Sequence, residues 1–414
     1  MKTKYFVILC DGMSDLPCKE LGNKTPMTVA KKPNMNALAS TSILGLSKTV
    51  PDDFPPGSDV ANLSVLGYNP SEFYTGRSPF EAASIGVEME DDDVAIRVNL
   101  VKLSVLSDGK DFREAKMVSY CADDIKTKPA GEIIKLVNEK LGNDEFKFYK
   151  GTDYRHCLIW KGGKTELNLT PPHDITGKRI AEHVKPNDNN RKLLDIMEKS
   201  YTILRGQKAN CVWFWGEGKK AKLPPFKAKT GKEACMISAV DLLRGMGQIA
   251  GMQVIKVDGT TGYIDTNFVG EAEAALNFIK SGGDLAYIHI EAPDECAHRG
   301  EIANKVKSIE LIDKLVLGTI LKAYQNGELT INGGVNEKGE QLPDEEVRIK
   351  ILITPDHATP LSLKTHTSEP VPFLIYDSGF QRKSNVKIFD ENTAKATKIL
   401  LEEGHQLMER FLAD

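Results

Sequence analysis

Three segments of this chain place carboxylates beside imidazoles at spacings that suit divalent-metal chemistry. The first is Asp11-Gly12, directly after the apolar run 5–10. The second runs from Asp294 to His298, just after the apolar run Leu285–Ile290. The third is Asp356-His357, just after the apolar run 350–354, with His366 nine residues beyond. Carboxylate oxygens and imidazole nitrogens together suit zinc, manganese and similar ions. Asp294 and His298 stand four positions apart, so both occupy one face if the loop opens into a helix. Two cations held close together can clamp the attacking and leaving oxygens of a phosphoryl group. Taken singly, an Asp after a strand is more readily a turn residue or a helix cap, and a lone His more readily structural. Three such segments, drawing on three of the chain's 8 histidines, argue for a metal centre.

Ser58 offers a nucleophile for such a centre. The stiff stretch Pro55-Pro56-Gly57 delivers it to the start of a segment whose pattern predicts a helix. Free amides and the dipole at a helix start favour negative charge, so a serine alkoxide, and later a phosphate, would be stabilised there. From pattern alone, Ser58 is more readily a simple N-cap.

These side chains need strand ends to hold them. Nearly continuous apolar runs at 5–10, 211–215, 253–257, 285–290, 350–354 and 372–376 predict strands, several of them buried on both faces. Helical patterns lie between them. The clearest covers 302–324, with Val306, Ile309, Ile312, Val316 and Ile320 at helical spacing. The alternation predicts an α/β fold with a mostly parallel sheet flanked by helices, where functional residues gather at strand ends. Residues 93–205 read differently, with short strands, an amphipathic helix near 132–141 and polar connections. They are expected to form a smaller inserted α+β domain, leaving 1–92 and 206–414 as the core.

Composition narrows the class. At 414 residues the chain is too long for one ordinary core. Its net charge of -4 gives no general attraction to nucleic acid or to an anionic membrane. The 7 cysteines are odd in number and widely spaced, with no CxxC. A disulfide framework or structural zinc site is therefore not expected, and a reducing, cytoplasmic setting is. No run approaches the ~20 apolar residues of a membrane-spanning helix. The run at 5–10 is too short for the core of a signal peptide. Gly218-Lys219-Lys220 lacks the hydroxyl and the spacing of a phosphate-cradling loop.

Seven ordered pieces carry a family resemblance: Cys10-Asp-Gly-Met13, Pro56-Gly-Ser-Asp59, Tyr74-Thr-Gly-Arg-Ser-Pro-Phe-Glu-Ala82, Arg97-Val-Asn-Leu100, Tyr154-Arg-His156, Asp294-Glu-Cys-Ala-His298 and Pro355-Asp-His357. The chain resembles the archaeal-type 2,3-bisphosphoglycerate-independent phosphoglycerate mutases of the alkaline phosphatase superfamily, over essentially its whole length. The resemblance implies an alkaline-phosphatase-like core and a mobile inserted domain that closes as a lid. It implies that Ser58 becomes phosphorylated. Asp11, Ser58, Asp356 and His357 would bind one metal ion, and Asp294, His298 and His366 the other. Manganese is typical of such enzymes, with zinc, magnesium or cobalt as alternatives. The implied reaction interconverts 3-phosphoglycerate and 2-phosphoglycerate through phosphoserine, with glycerate trapped away from water.

The substrate's carboxylate and phosphate suit bidentate recognition by arginine. The candidates are Arg77, Arg97, Arg155 and His156, then Arg179 and Lys232. Asn62, four residues after Ser58, shares its helix face and is a further candidate for a phosphate oxygen. For an isolated arginine, a solvated surface charge is the plainer reading. A homoserine-kinase-like phosphotransferase, a plain phosphatase or a phosphonate hydrolase on the same scaffold would share the metal motifs. A catalytically silent relative would show a missing ligand or a replaced serine, and neither occurs.

Overall fold

The computed structural model describes residues 2–107, 110–331, 345–380 and 385–413. The chain divides into two compact units, Met1–Tyr74 with Leu223–Asp414, and Thr75–Lys222. The second unit is wider at both ends than the expected 93–205. It gains the helix Ser78–Ser84 and a strand from Cys211, because both pack on the unit's central strand.

In chain order the first unit supplies β1 (Lys2–Cys10) and β2 (Ile43–Ser47). The second holds β3 (Val94–Leu103), β4 (Met117–Ser119), β5 (Phe146–Tyr149), β6 (Arg155–Trp160) and β7 (Cys211–Lys219). The chain then returns to the first with β8 (Ala234–Ser238), β9 (Gln253–Ile255), β10 (Leu285–Ile290) and β11 (Thr330–Ile331). It closes with β12 (Glu345–Thr354), β13 (Val371–Asp377) and β14 (Leu400–Leu401).

The sheet of the first unit runs β14-β2-β13-β12-β1-β10-β8-β9, with β11 added on β12. β12, β1, β10, β8 and β9 are mutually parallel, while β13 runs against them. Residues 4–10 of β1 are buried without alternation, as befits a strand covered on both faces. One face packs Ile8, Cys10 and Ile288 against Ile309, Ile312, Val316 and Ile320. The helical pattern at 302–324 forms as Ile302–Leu311 and Gly318–Gln325, joined through a π-helical turn at Ile312–Leu317. Within that turn, the Asp313 carboxylate accepts the backbone amides of Asn34 and Met35.

Strand register sets the site. Leu9 is level with Thr354 on one side of β1, and Cys10 is level with Ile290 on the other. Three neighbouring parallel strands therefore end at one edge of the sheet, and Asp11, Asp294 and Asp356 all lie within a few residues of those ends.

The second unit is an antiparallel sheet, β4-β3-β6-β5, with β7 paired to β3. The helices Thr127–Leu141 and Arg191–Ile203 bury Ile134, Val137, Leu193 and Met197 in one core with Val98, Leu158 and Phe214. On the other face, Ala95, Cys157 and Ile159 pack against Ala82 of the helix Ser78–Ser84. Among the described residues no helix is long and apolar enough to cross a membrane.

Candidate functional site

Gly12 lets the strand-end loops close on one another. Its φ is +60, and a Cβ there would lie 2.6 Å from both Asp294 Oδ1 and Thr359 Oγ1. Asp294 and His298 share one face of the helix Ala292–His298, with His298 Nε2 3.1 Å from Asp294 Oδ2. His366 Nε2 lies 2.9 Å from His298 Nε2 and 3.5 Å from Asp294 Oδ1. On the other side, His357 Nε2 lies 3.6 Å from Asp11 Oδ1 and 3.3 Å from Asp356 Oδ2. One ligand atom each from Asp294, His357 and His366 falls within 4.8 Å of the others, and so do atoms of Asp11, Asp356 and His357.

Ser58 opens the helix Ser58–Val65 as its first residue, and Gly57 takes the cap position with extended backbone. The hydroxyl is thus not used as a cap. Ser58 Oγ instead lies 3.0 Å from His357 Nε2. All seven side chains expected at the centre meet in one place.

The electrostatics fit divalent cations. Burial, and then the charges of Asp356, Asp294 and Glu291, push the Asp11 carboxyl well above its usual range. Asp11 Oδ1 is buried with no hydrogen-bond partner. Crowded, buried carboxylates with an orphaned oxygen are relieved by a bound cation. Burial lowers the His357 imidazole below its usual range. Its Nδ1 lies 3.2 Å from Thr359 Oγ1. A proton on Nδ1, donated to that hydroxyl, leaves the Nε2 lone pair for a metal or for Ser58. Burial alone would lower His298, but its bond to Asp294 outweighs this and raises it to about 9. A metal ion at this imidazole would therefore compete with a proton.

Residues 39–210 match the family model for 2,3-bisphosphoglycerate-independent phosphoglycerate mutase, and 341–409 match that of the metalloenzyme superfamily. A Geobacter sulfurreducens protein named a probable 2,3-bisphosphoglycerate-independent phosphoglycerate mutase is 43% identical over 421 residues, covering 99% of each chain. A Methanosarcina barkeri protein with that name, without the qualifier, is 40% identical over 420 residues, covering 98% of each. The chain belongs to the 2,3-bisphosphoglycerate-independent phosphoglycerate mutase family. A solved structure of a Pyrococcus horikoshii protein shares the fold at a TM-score of 0.73 with 26% identity, covering 100% of this chain and 97% of the other.

Around the centre of this mutase-family chain stand residues that the sequence reading did not single out. His289 Nε2 lies 2.8 Å from Asp11 Oδ2, and its Nδ1 lies 3.0 Å from Ser238 Oγ. Thr359 Oγ1 donates to Asp294 Oδ1 at 2.5 Å. Lys305 is fully buried and donates to Asp15 Oδ2 at 2.7 Å and to the Thr359 carbonyl at 2.8 Å. It ties the loop after β1 to the loop after β12. Its signal was legible: a lysine three residues after Ile302 and four before Ile309, on the apolar stripe of its helix.

Asn62 hydrogen-bonds within the protein. Its amide is taken up by Ser58, Asp356 and Tyr287, and the residue is fully buried.

In the second unit, Glu81 Oε1 accepts from Arg77 Nε at 2.8 Å and from Arg97 at 2.7 Å. Burial would raise the Glu81 carboxyl, but Arg97 and Arg77 outweigh it and bring it below the usual carboxylate range. Arg97 stacks 4.6 Å from the Trp215 ring centroid, and its Nε is buried with no hydrogen-bond partner. Arg155 lies opposite Asn99, on the same sheet face as Arg97. These three arginines form a cationic cluster. Glu81, four residues after Arg77, was the legible hint.

The other three candidates lie elsewhere. His156 is one residue beyond Arg155, so it turns to the opposite face, where Nδ1 accepts from the Gly151 amide and burial lowers the ring to about 3. Arg179 pairs with Glu114 on the surface. Lys232 sits 5.1 Å from the Tyr5 ring centroid, near the start of β1 and the opposite end of that strand from Asp11.

Proposed function

We propose that the chain is a cofactor-independent phosphoglycerate mutase that interconverts 3-phosphoglycerate and 2-phosphoglycerate through a phosphoserine at Ser58. The observation that carries the reading is the Ser58 hydroxyl, 3.0 Å from His357 Nε2 at a helix start and within the carboxylate–imidazole centre. The names of relatives matched along the whole chain support the same activity.

Asp11, Ser58, Asp356 and His357 would hold one cation, and Asp294, His298 and His366 the other. Two divalent ions, manganese in this reading, supply Lewis-acid stabilisation of phosphoryl charge when bound. Ser58 Oγ attacks the phosphorus of 3-phosphoglycerate. The bond from phosphorus to the 3-oxygen breaks, and the serine proton ends on that oxygen. The helix start stabilises the charge gathered on the phosphoserine. Glycerate then reorients, its 2-hydroxyl takes the phosphoryl group, and the proton returns to Ser58. Arg77, Arg97 and Arg155 of the second unit recognise the substrate's anionic groups. The reading includes a cytoplasmic setting, which the odd number and wide spacing of the 7 cysteines support.

The test is conversion of 3-phosphoglycerate to 2-phosphoglycerate without added bisphosphoglycerate, after chelation and with manganese restored. Activity should return with the metal and vanish in Ser58→Ala. Full activity in that variant overturns the reading. Release of inorganic phosphate faster than 2-phosphoglycerate forms would make the chain a phosphatase instead.

A further inference from the structure

Asn62 is fully buried one helical turn after Ser58. Its amide nitrogen lies 2.7 Å from Asp356 Oδ2 and 2.9 Å from the Ser58 carbonyl oxygen. Both partners are acceptors, so the amide must turn its NH2 end toward them. Its oxygen then faces Tyr287, whose hydroxyl donates to it at 3.0 Å from within β10. The other Asp356 oxygen accepts the backbone amides of Gly12 at 3.2 Å and His357 at 2.9 Å. Both carboxylate oxygens are thus aimed by fixed donors, and Asn62 is the side chain that aims Oδ2.

We infer that Asn62, oriented by Tyr287, is a positioning residue for the metal ligand Asp356, and that it couples that ligand to the backbone of Ser58. The inference rests on the two-metal reading of the centre. A ligand carboxylate freed from such a partner rotates about its terminal torsion, and loss of an outer-shell partner weakens metal affinity by roughly 10–100-fold. Among the described residues the Tyr287 hydroxyl hydrogen-bonds to Asn62 and not to Asp356 or Ser58, so its hydrogen-bonded route to that ligand runs through the amide of Asn62.

The experiment is calorimetric titration of metal-stripped full-length protein with manganese(II), for wild type, Tyr287→Phe, Asn62→Ala and the double variant. Asn62→Ala should weaken manganese binding about tenfold or more, and Tyr287→Phe should weaken it by a smaller factor. Adding Tyr287→Phe to Asn62→Ala should change the affinity no further. Wild-type affinity in Tyr287→Phe, accompanied only by a lower thermal midpoint, would show a purely structural hydrogen bond and overturn the inference. Independent, additive losses would also overturn it. Tyr287→Phe removes a single oxygen, so it carries the test if Asn62→Ala does not fold. The titration stands apart from turnover: active Ser58→Ala would remove the nucleophile assignment and leave this measurement decisive.

Discussion

Ser58 Oγ and His357 Nε2 lie 3.0 Å apart although 299 positions separate them in the chain. Gly57, not Ser58, caps the intervening helix start. A capping hydroxyl is worth about 1 kcal/mol to its protein, whereas a nucleophile contributes through chemistry. Ser58→Ala should therefore lower kcat by at least about a thousandfold. It should leave stability within roughly 0.5 kcal/mol of wild type, as at sites without a structural role. Turnover and a denaturant melt on one preparation separate the two effects. A large loss of stability would return Ser58 to a structural part.

Thr359 links the two sides of the centre, donating to Asp294 and facing Nδ1 of His357. Thr359→Val keeps the shape and removes the oxygen. Manganese affinity should fall about tenfold or more, and Thr359→Ser should restore most of it. Equal titration curves for the valine variant and wild type would deny Thr359 this role.

Arg97 meets three demands at once: an ion pair with Glu81, a stack on Trp215, and a buried Nε left for another acceptor. A lysine ammonium cannot reproduce the planar fork. Arg97→Lys should raise KM for 3-phosphoglycerate by about tenfold, the scale of a lost charged hydrogen bond, while kcat falls less. Steady-state kinetics at saturating manganese read both parameters. An unchanged KM would remove Arg97 from substrate recognition.

The strand ends that carry the proposed metal ligands were legible, because buried parallel strands announce themselves as continuous apolar runs and each is followed by its carboxylate. The i,i+4 pair Asp294 and His298 was legible for the same local reason. What sequence spacing does not carry is side-chain direction across long separations. Asn62 shares a helix face with Ser58, yet its amide is claimed by Tyr287 and Asp356, more than two hundred positions away. His156 neighbours Arg155, yet strand alternation turns it to the other face. The strand at Cys211 is apolar enough for the main sheet, but its hydrogen bonds go to β3, and no local pattern encodes that choice.

Glu271 provides a pH signature away from the centre. It is 1% exposed, and its Oε2 has no hydrogen-bond partner. Burial pushes its carboxyl from the usual 4.5 to about 8, opposed only in part by Thr266 and Arg244. Below about pH 4.5 the carboxyl is protonated in the folded and unfolded chain alike, so it shifts the balance little. Between there and pH 8 the unfolded chain ionises while the folded chain keeps its proton, so stability falls as pH rises. At pH 7 the penalty is on the order of 3 kcal/mol. Glu271→Gln has no charge to bury. Its thermal midpoint should match wild type near pH 4, exceed it increasingly up to about pH 8, and hold a constant lead above that. Calorimetric scans across that range read the lead directly. A lead that does not change with pH would mean that Glu271 is ionised in the folded protein and has found a partner for its charge.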